Sequence, residues 1–452
     1  MKKIAWLLAC PLFASPVFSA DLMQVYRDAL INDPVFAAAR ASLDAGREKA
    51  PQGLSGLLPT LSASGNTAWN DADSNPRNNP ELKTRSEYNT HAYQLTLSQP
   101  LFRWQNWVAY DQAKLQVAQA EAGFVQARQD LILRVAQAYF DVLNASENLS
   151  AVQANKQAIA QQLELAKKSF EVGTATITDT HEAQARFDLV MAQEIAAESE
   201  LEIRQQALQV LVGKDAGPLA APRKDAELNP PAPNKLADWV SAAETGSLTV
   251  LIQQALAEIA AREVDKQRAG HYPTLDLVAN QGRAKSFTSN SIGAVDTDFR
   301  NVGLQLNIPL FQGGQVTSRQ REAAANRLVA QSGLEAAKRN SALAARQYYL
   351  GVTNGLAQVR ALKAALVSSQ SALESNKLGY EVGVRINIDV LNAENQVYVT
   401  RRDLAKATFD TLMAQLRLKA AVGALGDEDV LRINALLVEP GSAPNSFQSR
   451  AQ

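Results

Sequence analysis

Leu95-Thr96-Leu97-Ser98-Gln99-Pro100-Leu101-Phe102 returns 209 residues later as Leu304-Gln305-Leu306-Asn307-Ile308-Pro309-Leu310-Phe311. Both stretches alternate apolar and polar residues up to a proline, the period-2 signature of a strand with one apolar and one polar face. Three more blocks repeat in the same order. Phe170-Glu171-Val172-Gly173 returns as Tyr380-Glu381-Val382-Gly383, Leu211-Val212-Gly213 as Ala421-Val422-Gly423, and Pro59-Thr60-Leu61 as Pro273-Thr274-Leu275. The chain is therefore a tandem duplication, with copies over 21–213 and 236–423. Residues 214–235 link them and carry Pro218, Pro222, Pro230, Pro231 and Pro233, too many for a helix interior. Residues 424–452 form a C-terminal tail.

Each copy follows one plan. A helical segment opens it, from 21 to about 54 and from 236 to about 269. Strands are expected near 58–70 and 88–100, then near 272–281 and 299–309. The inserts between them, 70–87 and 281–300, are rich in Asn, Asp, Ser, Gly and Arg, as exposed loops are. Long helices follow: 106–172 and 179–212, then 315–382 and 388–422. Leu115, Ala118, Ala122, Val125, Ile132, Ala136, Tyr139 and Leu143, with Gln129 in the one polar gap, form a coiled-coil seam of alternating three- and four-residue steps.

Composition excludes several functions. With 45 Lys plus Arg against 46 Asp plus Glu, the chain has no basic excess for nucleic acid. One cysteine excludes a disulfide framework, and three dispersed histidines (His91, His181, His271) offer no metal cluster. No phosphate-binding G-x-x-x-x-G-K-[ST] stretch exists, and His181 lacks a second histidine four residues away. The reading is of a protein that is not an enzyme and carries no cofactor.

The N-terminus reads as a secretory signal over 1–20: Lys2-Lys3, an apolar run from Ile4 to Phe18, then Ser19-Ala20-Asp21. Leu7-Leu8-Ala9-Cys10 has the form of a lipoprotein box, but the apolar stretch before it is short and continues beyond it. Removing the signal takes away Cys10, Lys2 and Lys3, and moves the formal charge from −1 to −3. Past residue 20 no stretch reaches the ~18 apolar residues of a transmembrane helix. Four strands cannot close a barrel, yet in lipid an open sheet edge is costly. The strands must then close with those of other chains: eight from a dimer, twelve from a trimer, sixteen from a tetramer. The other reading is a water-soluble sheet capping a coiled-coil scaffold with no pore.

The duplicated plan, the joints Gln99-Pro100-Leu101-Phe102 and Ile308-Pro309-Leu310-Phe311-Gln312-Gly313-Gly314, and the turns at Val172-Gly173 and Val382-Gly383 resemble the TolC outer-membrane efflux family. The resemblance covers nearly the whole chain after residue 20. It implies a fold that is mainly α with a membrane β-barrel: a homotrimer whose twelve-stranded barrel sits in outer-membrane lipid. Below lies a periplasmic α-helical tunnel, with 214–235 and 424–452 in an equatorial belt. The implied partners are a periplasmic adaptor and an inner-membrane ABC exporter or proton-driven pump. The implied function is a passive exit duct for proteins or small toxic compounds in type I secretion; the alternative is a dedicated drug or metal-ion efflux duct.

The family closes its periplasmic end by coiling one inner helix pair inward. By resemblance, Tyr380 and Arg385 are the tethers and Thr178 and Asp179 their partners. Asp389 matches the outer of two aspartates that narrow the entrance, and the second position is Asn392 here, a departure that leaves three carboxylates per trimer instead of six. Gly173 and Gly383 supply the left-handed residue ending each helix and face the adaptor. Local roles compete with these. Asp179 and Glu182 have capping-box spacing, Asp389 suits a helix N-terminus, and Arg385 and Asp389 can pair at i,i+4.

Overall fold

A computed structural model describes residues 20–74, 77–78, 81, 83–174, 176–223, 228–289 and 293–438. The expected signal, but for Ala20, and the tail beyond 438 lie outside the described residues. The elements run α1 Leu22–Asn32, α2 Pro34–Arg47, α3 Lys49–Ser55, β1 Thr60–Ser74, β2 Thr84–Phe102, α4 Trp104–Glu171, α5 Ile177–Val212 and β3 Ala221–Pro222. The second half gives α6 Leu236–Gly246, α7 Leu248–Arg268, β4 Thr274–Ser289, β5 Gly293–Asn307, α8 Gln315–Glu381, α9 Asn387–Ala421, α10 Asp427–Asn434 and β6 Leu437–Val438. No helix among the described residues is long and apolar enough to cross a membrane. Two compact units cut across the repeats, each drawing on both.

The first unit, Arg40–Phe124 with Leu248–Arg339, holds an antiparallel sheet in the order β1-β2-β4-β5. The strands outrun the expected boundaries, because the polar inserts pair instead of looping. Arg85 donates from Nε to Asp71 Oδ1 (3.0 Å), Thr67 Oγ1 donates to Asn89 Oδ1 (3.0 Å), and Arg283 meets Asp296 and Asp298 at 3.5 and 3.6 Å. Such cross-strand pairs let a ladder continue without an apolar face. Pro100, which cannot donate to a ladder, stands at a register shift between Pro100 and Phe102. Pro309 falls outside β5, which stops at Asn307 rather than 309.

The register sorts the two faces. Leu61, Leu97, Ala279 and Val302 stand opposite one another across all four strands, and Ser62, Thr96, Asn280 and Asn301 form the next row on the other face. There Gln94 Nε2 and Thr96 Oγ1 both donate to Asn280 Oδ1 (2.8 Å each), and Asn280 Nδ2 donates to Asn301 Oδ1 (2.9 Å). Along β2 the polar Gln94, Thr96 and Ser98 are half-buried while Tyr93, Leu95 and Leu97 are exposed. A water-soluble sheet shelters its apolar face; along β2 this one shelters its polar face. β1 and β5 each leave one edge unpaired among the described residues. At the sheet's base Arg103 grips buried Asp276 side-on, Nε to Oδ1 at 2.8 Å and Nη2 to Oδ2 at 2.6 Å.

The second unit gathers residues up to Ala39, Val125–Ser247 and Asn340 onward. Its buried side chains include Leu22, Val25 and Tyr26 of α1, Leu131, Ile132, Val135, Tyr139 and Phe140 of α4, and Leu412 and Leu416 of α9. Phe140 stacks on Phe409 at 5.5 Å. β3 pairs with β6, Ala20 bridges Leu219, and Tyr139 donates its hydroxyl to Ala220 O at 2.6 Å. Burial pushes that phenol's pKa far up. In the seam, Ile132, Ala136, Tyr139 and Leu143 are buried, but Ala118 and Val125 stay exposed. Buried Gln129 donates its amide to Gly423 O (2.9 Å) and Leu425 O (3.0 Å), serving the carbonyls where α9 ends.

Candidate functional site

The two helical turns are built alike. α4 ends in a Schellman motif: Gly173 sits at φ +78°, its N–H bonds Phe170 O (3.0 Å), and Thr174 N–H bonds Ser169 O (2.8 Å). α8 ends identically, with Gly383 at φ +78°, Gly383 N–H on Tyr380 O (3.1 Å) and Val384 N–H on Gly379 O (2.8 Å). Only glycine takes that φ without strain. A Cβ on Gly379 would lie 2.7 Å from Arg385 Cγ, so glycine there also lets the arginine stem lie close against the helix.

The copies diverge where the next helix begins. α5 starts two residues before the expected 179, because Thr176 and not Asp179 is the N-cap. Thr176 and Asp179 form a reciprocal capping box, with Thr176 N–H on Asp179 Oδ2 (2.9 Å) and Asp179 N–H on Thr176 Oγ1 (3.3 Å). The expected Asp179–Glu182 box is thereby corrected. In the second copy Ile386 stands where Thr176 stood and has no capping side chain. Asp389, the counterpart of Asp179, meets Arg385 at 3.6 Å instead. A hydroxyl in one copy and a methyl-bearing chain in the other thus decide what each carboxylate does.

Asp179, Tyr380, Gly383 and Arg385 line one cleft of about 720 Å³, which Lys377 and Glu394 share. Arg385, Asp389 and Asn392 line a second of about 370 Å³. Thr178 is exposed and lines neither of these two clefts. Among the described residues no hydrogen bond or ion pair joins Arg385 or Tyr380 to Thr178 or Asp179 within one chain. Asn392 accepts from Arg186 Nη2 of α5 at 3.0 Å.

Several residues here escape sequence reasoning. Glu394 is buried, meets Lys377 at 2.8 Å through Oε1, and keeps Oε2 buried with no hydrogen-bond partner. Burial, with the Glu394 carboxylate nearby, raises the Tyr398 phenol. Asn387, also buried, accepts from Gln162 of α4. Lys377 and Glu394 stand on different helices, so no helical spacing signals them. Glu394 amid Val390, Leu391 and Val397 is the one available clue.

Comparison with known proteins identifies the family. The family described as "Outer membrane efflux protein" matches residues 25–214 and again 239–424, once per repeat. Outer membrane protein TolC of Vibrio cholerae is 33% identical over 96% of this chain and 98% of its own length. The alkaline protease secretion protein AprF of Pseudomonas aeruginosa is 31% identical over 98% of this chain and 93% of its own. The Campylobacter jejuni CmeC outer membrane channel superposes with a TM-score of 0.78 at 17% identity, covering 97% of this chain and 98% of that one. With a sheet whose polar face is sheltered along β2, two copies of one helical unit and a match to each copy, the chain belongs to the outer membrane efflux protein family and is an outer-membrane exit duct with a large periplasmic part.

Proposed function

We propose that three copies close the sheet into a twelve-stranded barrel and pass cargo outward by type I secretion, docked to a periplasmic adaptor and an inner-membrane ABC exporter. The carrying observation is the sheet with its apolar side exposed and two unpaired edges. Its four strands alternate in direction, so β5 of one copy meets β1 of the next antiparallel, and any ring of copies closes without a mismatch. A coiled-coil scaffold without a pore leaves that apolar face unexplained.

The secretion-named relative supports protein cargo; a drug or metal-ion duct working with a proton-driven pump is the second reading. Deleting the gene separates them. Loss of a secreted protein with unchanged drug and metal susceptibility supports the first, and the reverse supports the second.

The turn residues form the gate. Arg385 can hold a carboxylate bidentately, and the shared cleft brings Asp179, Tyr380 and Arg385 within one chamber. Arg385→Ala should raise single-channel conductance in planar bilayers; unchanged conductance counts against the latch. Asn392→Asp adds three carboxylates to the trimer and should raise cation selectivity, read as a shifted reversal potential. Arg186 at 3.0 Å will pair with the new carboxylate. The double variant Arg186→Gln/Asn392→Asp should therefore shift it further than Asn392→Asp alone.

A further inference from the structure

The exposed apolar face carries a trough with a cationic end. Its floor is Ala279, the small member of the row Leu61-Leu97-Ala279-Val302, so Leu97 and Val302 rise on either side. The trough measures about 420 Å³ and reaches Gln281 and Arg300 in the next row of the same face. Those two stand toward the hairpin ends of the strands, away from the joints to α4 and α8. In the next two rows of that face, Arg283 faces Asp298 and Lys285 faces Asp296 across the β4–β5 ladder. Arg283 engages both carboxylates. Among the described residues, Arg300 and Lys285 have no carboxylate within 4.0 Å, so three cations face two anions on this patch.

Arginine is costly at mid-bilayer and nearly free of cost near the interface. Arg300 sits where apolar Val302 gives way to charge, so its stem can lie on the apolar wall while the guanidinium reaches the headgroup level. Planar guanidinium favours phosphate. An apolar trough closed by an unpaired arginine fits an acyl chain that ends in an anionic head. We propose that this face seats a phosphorylated lipid of the outer leaflet, its chain on Ala279 between Leu97 and Val302 and its phosphate on Arg300, with Lys285 as the second cation. The inference rests on the barrel reading above.

The test uses the full-length protein in nanodiscs of zwitterionic lipid doped with lipopolysaccharide, with retained lipid counted by native mass spectrometry. Wild type should retain the phosphorylated lipid in preference to the zwitterionic one. Arg300→Gln should weaken retention about tenfold and Arg300→Gln/Lys285→Gln roughly 100-fold, taking one charge-assisted contact per cation. Lys363→Gln, a control on α8, should retain it as wild type does. Equal retention by the double variant overturns the site. So does competition by inorganic pyrophosphate as strong as that by the lipid, since the patch would then bind free anion. Bilayer conductance keeps the two readings apart. A double variant that conducts normally without binding lipid sinks only the lipid site, whereas a wild type that never inserts sinks both.

Discussion

Leu304→Arg should destabilise the assembled protein by about 2–4 kcal/mol per chain, roughly 6–12 kcal/mol over a trimer. Leu304 lies between Val302 and Leu306 on the exposed apolar face of β5, 66% accessible in the single chain. Ser62→Arg, on the opposite face of the same sheet, should be tolerated, because a water-filled lumen solvates the guanidinium. In a water-soluble sheet the order reverses: Leu304→Arg would be harmless and could improve solubility. Heat stability of the trimer on unboiled gels reads the difference. Equal tolerance of both arginines means that the face assignment is wrong.

The second large effect lies in the helical unit. Asp33 is buried, caps α2 through Phe36 N–H (2.9 Å), and holds Arg134 of α4 at 2.7 and 3.3 Å. Removing one partner of a buried pair typically costs about 3–5 kcal/mol. Arg134 is about a third exposed, so the lower figure, about 3 kcal/mol, is expected for Asp33→Ala. Asp33→Asn should lose less, since it keeps the cap. Burial alone would raise the Asp33 pKa, but Arg134 and the backbone N–H groups outweigh it and hold the carboxyl below its usual value. A depressed folded pKa gives stability that is complete above the unfolded value, about 3.9, and is lost as pH falls through the folded one. Thermal melts should therefore show the wild-type advantage over Asp33→Asn at pH 6 and its loss on acidification below about 4. An advantage undiminished by acidification to about pH 2 would contradict the role of the pair.

What could be read from the sequence follows from periodicity. Alternation at 93–98 and 302–308 and the proline-free tracts after them give strands and helices, because period and Gly/Pro punctuation are local properties. The strand ends at Ser74, Thr84, Ser289 and Gly293 are not local, since they depend on cross-strand pairs such as Arg85–Asp71 that alternation cannot register. Gln129 looked like a flaw in the seam, and its partners lie 294 and 296 residues away. At the turns, Gly173 and Gly383 were legible because φ > 0 selects glycine. Spacing alone does not select the cap at Thr176, because Asp179 and Glu182 offer a competing match three residues later. The Lys377–Glu394 pair needs α8 and α9 to be folded together before it exists.

Conductance across a planar lipid bilayer tests the duct most directly. Purified, detergent-extracted wild type should insert in discrete steps of equal, long-lived conductance, each step corresponding to one trimer. A chain that stays monomeric and soluble without detergent, and never conducts, would contradict the account.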